Sequence, residues 1–469
     1  MWLPTNIQKD DFTQAYTDFN NKYQAGKLLA EDWKRWREAN FLKVIEKSKK
    51  SVFYQQHITN YNDILSLADL EKLPFTTKDH LREHMYDILS GSLNDALYFY
   101  ETTGTTGRAT PCPRDYREAI ASNSQVTAAW RNIFDDVFGK DYRPVVGLMG
   151  PTEVHSFGDT LGAVCQNMNV CNMKIWPYSP VIGFPKALEL MSTCSVEVIV
   201  CTPGVAMNLM KAAKHYGYDL RKDFKVKAIF LTGEMSTPGL MNNISSIWGA
   251  KIFNSLYGSQ EAFVIASSRA DGNMYLAKPN YIFEVIDPES NKSLGATGKG
   301  ELCLTMLING IKPLIRYRTG DFVEIIKTDL PEPYDLKINV IGRTKDRIEL
   351  NGHQFSAFDL ESSILNPLTN CFGYQIIIDK ENGNDVLEIN LEFDQGTANI
   401  QQMINMVIKS CKDNLHINSK VRVIEELDQI VSTAAFVSWK AARIVDRRKK
   451  EEDLETQVAK KMAKNRGFQ

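Results

Sequence analysis

Val196-Glu197-Val198-Ile199-Val200-Cys201 is a short apolar run that opens into the turn Thr202-Pro203-Gly204 and then a helical stretch over 204–215. The next apolar run follows at Ala228-Ile229-Phe230-Leu231-Thr232. Runs of this length, rich in β-branched and aromatic side chains and bounded by Gly and Pro, read as strands. Working outward, the alternation repeats: strands are expected over 96–100, 145–149 and 251–255, and helices over 116–130 and 184–193. Strands alternating with helices imply an α/β fold with a largely parallel sheet.

Both flanks differ from this middle. Over 10–57, Phe12, Tyr16, Phe19, Tyr23, Trp33, Trp36, Phe41 and Ile45 recur at three- and four-residue steps, the spacing of helices with an aromatic core face. A further helical piece is expected over 63–73, and Thr76 or Thr77 is a good N-cap for another, with Asp79 in its first turn. From 281 to 323 the chain turns strand-rich. Gly295-Ala296-Thr297-Gly298-Lys299-Gly300 has the look of a phosphate loop but lacks the Gly-Lys-Ser/Thr ending and precedes a strand, so it reads as a β-turn. Beyond 337–347 a smaller α+β unit follows, with strands over 347–350, 374–378, 386–393 and 421–425 and helices from 357 and over 399–412. The organisation expected is a large N-terminal α/β domain with a β-rich subregion (1–344) and a small C-terminal α+β domain (345–469).

Composition narrows the class. The 469 residues are 43% hydrophobic, enough for a large core and more than one domain. With 55 basic against 57 acidic residues the net charge is -2, which gives no overall attraction to nucleic acid or membranes. The basic residues from Arg443 to Arg466 are interrupted by Glu451, Glu452, Asp453 and Glu455, as on a solvated helix. The eight cysteines include no CxxC pair, which speaks for buried free thiols in a reducing compartment rather than zinc or a disulfide framework. Neither a signal peptide nor a run long enough to span a membrane is seen, so a cytoplasmic location is expected.

Five segments carry chemistry. Glu101-Thr102-Thr103-Gly104-Thr105-Thr106-Gly107-Arg108 combines glycines that let backbone N–H groups turn toward an anion, hydroxyl donors and a positive charge. It is not a Walker loop, and by itself it could be a surface loop. Tyr257-Gly258-Ser259-Gln260-Glu261 sets a carboxylate after a Gly-Ser pair, where a solvated Glu is the ordinary reading. In Arg316-Tyr317-Arg318-Thr319-Gly320-Asp321 the Asp either closes a turn or holds the vicinal hydroxyls of a ribose. Gly342-Arg343-Thr344-Lys345-Asp346-Arg347, followed by Asn351-Gly352-His353, marks the junction. Finally, Ser438-Trp439-Lys440-Ala441-Ala442-Arg443-Ile444-Val445-Asp446 carries a late lysine, a type of residue that is usually a solvated charge.

In this order and at these separations, the five segments resemble the adenylate-forming superfamily, which includes acyl-CoA synthetases, luciferases and peptide-synthetase adenylation domains. The similarity runs from about residue 73 to 446. Leu73-Pro74-Phe75-Thr76-Thr77-Lys78, Cys201-Thr202-Pro203, the Arg-Tyr-Arg-Thr-Gly-Asp form and the Arg-Ile-Val-Asp ending resemble the phenylacetate–CoA ligase branch.

The resemblance implies ATP-dependent activation of a carboxylic acid: the carboxylate attacks the α-phosphorus, pyrophosphate leaves, and an acyl-adenylate is passed to a thiol. Fixed donors and cations that neutralise the developing charge are the main requirement. Thr102, Thr103, Gly104, Thr105, Thr106, Gly107 and Arg108 would cradle the triphosphate, and Thr106 is placed with Glu261 and Lys440 at the reacting phosphate. Glu261 would hold Mg²⁺. Gly233, Glu234, Met235, Asn254, Ser255 and Tyr257 would line the adenine, and Gly258 and Ser259 would let the backbone pass close to the nucleotide. Asp321 and Arg343 would take the ribose. His155, Phe157 and Gly158 would shape the acid pocket, Lys345 would be the hinge of a mobile C-terminal domain, and Gly352 would line the tunnel for the CoA thiol. Lys440 would bridge carboxylate and α-phosphate as a mobile point charge.

Two departures stand out. Arg108-Ala109 replaces the Lys-Pro that commonly follows the loop, and Trp439 replaces the glycine that usually precedes the lysine. CoA is the expected acceptor. A carrier protein acting in trans, or an amine, is the alternative, and an inactive nucleotide-binding scaffold is a third reading. The branch also admits a homodimer. The identity of the acid is not legible.

Overall fold

The computed structural model describes residues 5–102, 109–425, 427 and 443–448. Its centre is a five-stranded sheet in the order Asn172–Lys174, Val146–Met149, Val198–Cys201, Ala228–Leu231, Lys251–Asn254. Every neighbouring pair is parallel. The three central strands are buried along their whole length, as expected when helices cover both faces. On one face Leu148, Val198, Val200, Phe230 and Phe253 pack with Trp130, Ile133 and Phe134 of the helix Tyr116–Phe138. On the other, Ile199, Cys201, Ile229 and Leu231 pack with the helices Gly183–Thr193, Pro203–His215 and Pro238–Trp248.

A seven-stranded antiparallel sheet forms the β-rich part, ordered Leu256–Ser259, Phe263–Ser268, Met274–Leu276, Leu336–Arg343, Tyr317–Lys327, Gly298–Met306, Tyr281–Ile286. The N-terminal helices Asp11–Gln24 and Ala30–Ser48 bring the aromatic stripe to this part of the molecule. Phe19 and Trp36 stack at 3.9 Å between ring centroids, and Tyr16 donates its hydroxyl hydrogen to Asn280 Oδ1 at 2.8 Å.

Beyond Arg343 come a hairpin, Ile348–Leu350 with His353–Phe355, and a four-stranded sheet, Asn418–Val423, Asn384–Phe393, Cys371–Glu381, Ile444–Asp446. This last unit shares a core with the parallel sheet's outer helices. Leu240 and Ile244 fall in the same buried cluster as Leu360, Ile364, Leu365 and Ile376. At the seam, Asn243 donates Nδ2–H to Cys371 O at 2.7 Å and accepts from Cys371 N at 2.9 Å. Lys211 Nζ pairs with Glu392 at 2.6 Å. A Cβ on Gly239 would lie 2.5 Å from Asn366 N, so the two backbones meet there with no room for a side chain.

Some local expectations need correction. Residues 96–100 form no strand: only the isolated antiparallel bridges Tyr98–Arg114 and Glu101–Pro111 occur, so the segment pairs with residues 111–114 rather than with a sheet. The helical piece expected over 63–73 is there as a 3₁₀ helix, Leu67–Lys72. Two of the eight thiols, Cys171 and Cys194, are exposed rather than buried. The Gly295–Gly300 segment is a turn, as its sequence implies: Gly295 has φ +85° and its carbonyl accepts from Val285 N.

Candidate active site

Open parallel sheets bind ligands outside the carboxyl ends of their strands, at the point where the strand order reverses. Here that point lies between Val146–Met149 and Val198–Cys201. Several of the residues expected at the site leave from these ends. His155, Phe157 and Gly158 follow the first strand, Thr202 the next, Gly233, Glu234 and Met235 the third, and Asn254 to Ser259 the fourth.

His155 caps the helix Ser156–Asn167, with Nδ1 accepting from Phe157 N at 3.1 Å. Burial lowers its pKa to about 4, so the ring is neutral near pH 7. The Phe157 ring lies flat on Gly150, where a Cβ would come within 2.7 Å of it. Gly158 is similarly closed by Thr152. Asn254 Nδ2 donates to Ser236 O at 3.3 Å, which ties the Gly233–Met235 loop to the fourth strand's exit. Gly233 itself has φ +83°, a conformation that favours glycine.

On the antiparallel sheet, Asp321 and Arg343 are cross-strand partners. Arg343 Nε lies 3.0 Å from Asp321 Oδ1, and the Tyr257 hydroxyl donates to Asp321 Oδ2 at 2.5 Å. Burial pushes the Asp321 carboxyl up, against the pull of Arg343. Its remaining lone pairs are what a pair of vicinal hydroxyls could use. Gly320 turns the strand with φ +75°, and its N–H donates to Glu301 Oε1 at 3.1 Å. Arg316 and Arg318 of the same run are structural. Arg316 grips Glu284 and the carbonyls of Glu71 and Leu73, and Arg318 pairs with Glu301.

Glu261 is a deeply buried carboxylate, with its side chain 4% exposed. Lys78 Nζ lies 3.0 Å from its Oε1. Burial alone would raise the Glu261 carboxyl, but the ammonium groups of Lys78 and Lys312 help to hold it below the usual range. An ionised, buried carboxylate with a cation already at its oxygen has the donor chemistry of a Mg²⁺ ligand. Next to it in the chain, both ends of the Gln260 side-chain amide are buried, and among the described residues they have no hydrogen-bond partner, a condition that native interiors rarely leave unused. Gly258 is needed inside the protein: a Cβ there would lie 2.2 Å from Phe263 O, at a register shift between Tyr257 and Gly258.

Thr103 to Arg108, Trp439 and Lys440 lie outside the described residues. Thr102 is described, and its Oγ1 accepts from Thr110 N at 2.9 Å at the root of the loop. Lys345 is exposed in the turn after Arg343. Gly352 is the second residue of an exposed Asn-Gly hairpin turn with φ +83°, which by itself accounts for the glycine.

Sequence reasoning passed over Lys78, Gln260, Arg114 and Lys312. Lys78 carried a signal. It is the first residue of the helix Lys78–His84, directly after its Thr77 cap, where the helix dipole disfavours a cation. Gln260 and Lys312 carried none, and Arg114, four residues before Glu118, reads as an ordinary helix pair until the fold buries it against the Gln260 and Glu261 carbonyls.

Residues 33–306 match the AMP-binding enzyme family, and residues 360–448 match the AMP-binding enzyme C-terminal domain. The phenylacetate-coenzyme A ligase of Pseudomonas putida is 22% identical over 403 residues, 82% of this chain and 87% of that protein. The corresponding enzyme of Thermus thermophilus is 23% identical over 340 residues, 70% and 72% of the two chains. Among solved structures, 2-hydroxyisobutyryl-CoA ligase in the postadenylation state superposes with a TM-score of 0.73 at 17% identity, covering 93% of each chain. With the family match extending over more than half its length, and with this fold, the chain belongs to the AMP-binding enzyme family, the adenylate-forming enzymes.

Proposed function

We propose that the protein uses ATP to convert a carboxylic acid into its acyl-adenylate, releasing pyrophosphate, and then transfers the acyl group to the thiol of CoA. The observation that carries this reading is the Tyr257–Asp321–Arg343 network set close to the ionised Glu261, with Asp321 coupled electrostatically to both Glu261 and Lys78. That combination suits a nucleotide whose sugar and phosphates are held at once.

In this reading Asp321 and Arg343 take the ribose hydroxyls, and Gly233, Glu234, Met235, Asn254, Ser255 and Tyr257 border the base. The loop from Thr102 to Arg108 cradles the phosphates. Glu261 holds Mg²⁺, which when bound neutralises phosphate charge and polarises the phosphorus–oxygen bonds. With Mg²⁺ held at Glu261, Lys78 would be free to turn toward the phosphates, since two cations on one carboxylate oxygen repel. The acid enters beside His155, Phe157 and Gly158. The acid is aryl or arylacetic in this reading, and a neutral His155 would meet it without adding a charge. Lys440 bridges the attacking carboxylate and the α-phosphate. The fixed cations do most of the work, because the reaction joins two anions.

We further assign residues 345–469 to a mobile domain hinged at Lys345, with Gly352 bordering the thiol's path. Among the described residues no helix is long and apolar enough to cross a membrane. The wide-spaced thiols support action in the cytoplasm.

The test is pyrophosphate release from ATP and Mg²⁺ over a panel of aryl, arylacetic, fatty and amino acids, with and without CoA, for wild type and Lys440→Ala. Release that requires both an acid and Lys440 is expected, with turnover stimulated by CoA. Turnover indifferent to CoA would redirect the acyl group to a carrier protein or an amine. ATP binding with no release for any acid would overturn the reading.

A further inference from the structure

Behind the Glu261 turn lies a buried charge cluster that the proposed mechanism does not use. Arg114 is 0% exposed at the N-terminal end of the helix Tyr116–Phe138. Its Nη2 donates to Gln260 O and to Glu261 O, each at 2.6 Å, and its Nη1 donates to Glu118 Oε1 at 2.9 Å. The guanidinium also sits over the Phe263 ring, 4.8 Å from its centroid. One planar side chain therefore touches two consecutive carbonyls and the ring that follows them.

The turn it grips does not adopt an easy conformation. Phe263 has φ +67°, in the left-handed region that side chains other than glycine rarely enter. Gly258 is pressed against the Phe263 carbonyl, and Ser259 Oγ accepts from Ala262 N at 3.0 Å. Such a conformation persists only where its surroundings over-determine it. Arg114 supplies much of that determination, and it is itself fixed. Glu118 Oε2 accepts from Asp115 N at 3.0 Å, and the Glu118 carboxylate packs on the bare Cα of Gly310, where a Cβ would lie 2.4 Å from Glu118 Cδ. Two residues beyond Gly310, the fully buried Lys312 is within electrostatic reach of both Glu118 and Glu261.

We propose that Arg114 is a positioning residue for Glu261: anchored by Glu118, its guanidinium holds the carbonyls of Gln260 and Glu261 and so aims the Glu261 carboxylate at the cation site. An ammonium cannot replace it, because a point charge cannot span two carbonyls and a carboxylate in one plane.

The inference rests on the reading of Glu261 given under Proposed function, and the experiment separates the two. Mn²⁺ binding, followed by its EPR signal in the presence of α,β-methylene-ATP, and steady-state pyrophosphate release are measured for wild type, Glu261→Gln, Arg114→Lys, Arg114→Met and Glu118→Gln, each checked for folding by thermal unfolding. Glu261→Gln and both Arg114 variants are expected to weaken Mn²⁺ binding at least tenfold. The Arg114 variants should also lower kcat while leaving KM for the acid unchanged, and Glu118→Gln should do the same to a smaller degree. Should Arg114→Met fail to fold, Arg114→Lys and Glu118→Gln carry the test. Unchanged Mn²⁺ binding in Glu261→Gln would remove the metal reading itself. Weakened binding in Glu261→Gln with wild-type binding in the folded Arg114 and Glu118 variants would overturn the positioning role alone.

Discussion

Lys78 reaches Glu261 because Thr76, two residues before it, is stitched to the antiparallel sheet. Thr76 N donates to Arg316 O at 3.0 Å, and Arg318 N donates to Thr76 O at 2.9 Å. The Lys78–Glu261 pair at 3.0 Å therefore depends on the Arg-Tyr-Arg run as much as on either charged residue. Lys78→Met should lower the rate of pyrophosphate release at saturating ATP roughly 100-fold, the scale of losing one aligned charge donor in an active site. Thermal stability should change little, because Lys78 is partly exposed. A large drop in melting temperature with a modest rate effect would mark the pair as structural.

Asp321→Asn removes the charge that Tyr257 and Arg343 are arranged around. Hydrogen bonds to a charged group are worth about 1.5–3 kcal/mol, so KM for ATP should rise on the order of 10- to 100-fold while KM for the acid holds. The check is to compare ATP with 2′-deoxy-ATP. Wild type should discriminate between them, and the variant should discriminate much less.

His155 gives a pH dependence. Its pKa is 6.5 unperturbed and about 4 in the folded protein, so between these values the unfolded chain binds more protons. Its contribution to stability is therefore present above pH 6.5, is lost as pH falls toward 4, and is level below that. Each tenfold change in proton affinity corresponds to about 1.4 kcal/mol, which sets a ceiling of about 3 kcal/mol on the effect. His155→Asn keeps a capping side chain without the titration. Urea unfolding at pH 5 and pH 7.5 should show a smaller loss for the variant than for wild type, and equal losses would refute the assignment.

The seam between the parallel sheet's helices and the last sheet offers a stability test. Asn243→Ala leaves the buried N–H and C=O of Cys371 unpaired, a cost of about 2–4 kcal/mol. Gly239→Ala forces a methyl group into the Asn366 backbone and should cost about 1–3 kcal/mol. Denaturant titration of both variants measures this. Unchanged midpoints would mean that the seam is looser in solution than its contacts imply.

The sequence revealed different parts of the molecule to different degrees. The parallel strands were legible because Val146–Met149, Val198–Cys201 and Ala228–Leu231 are buried on both faces and read as unbroken apolar runs. The helix cap at Thr77 follows from local chemistry. Residues 96–100 misled because alternating tyrosines look like a strand whether or not an edge is there to receive them. Asp321 and Arg343 were legible through their motifs, but their register as cross-strand partners was not. Arg114 and Lys312 were hidden for a more basic reason: Arg114 with Glu118 four residues on reads as an ordinary exposed helix pair, and only the fold buries it and brings Lys312 within reach of Glu118 and Glu261. Nothing local distinguishes them from surface charges.

The core shared by the outer helices and the last sheet has a consequence for synthesis. Leu240 and Ile244 leave the ribosome well before Leu360, Ile364 and Ile376, which cover them. At about 5–20 residues per second, the nascent chain carries that apolar face bare for several seconds. During this interval the growing polypeptide is a natural client for a chaperone. Slowing translation between these two regions should therefore cost soluble yield, even though it leaves the finished enzyme unchanged.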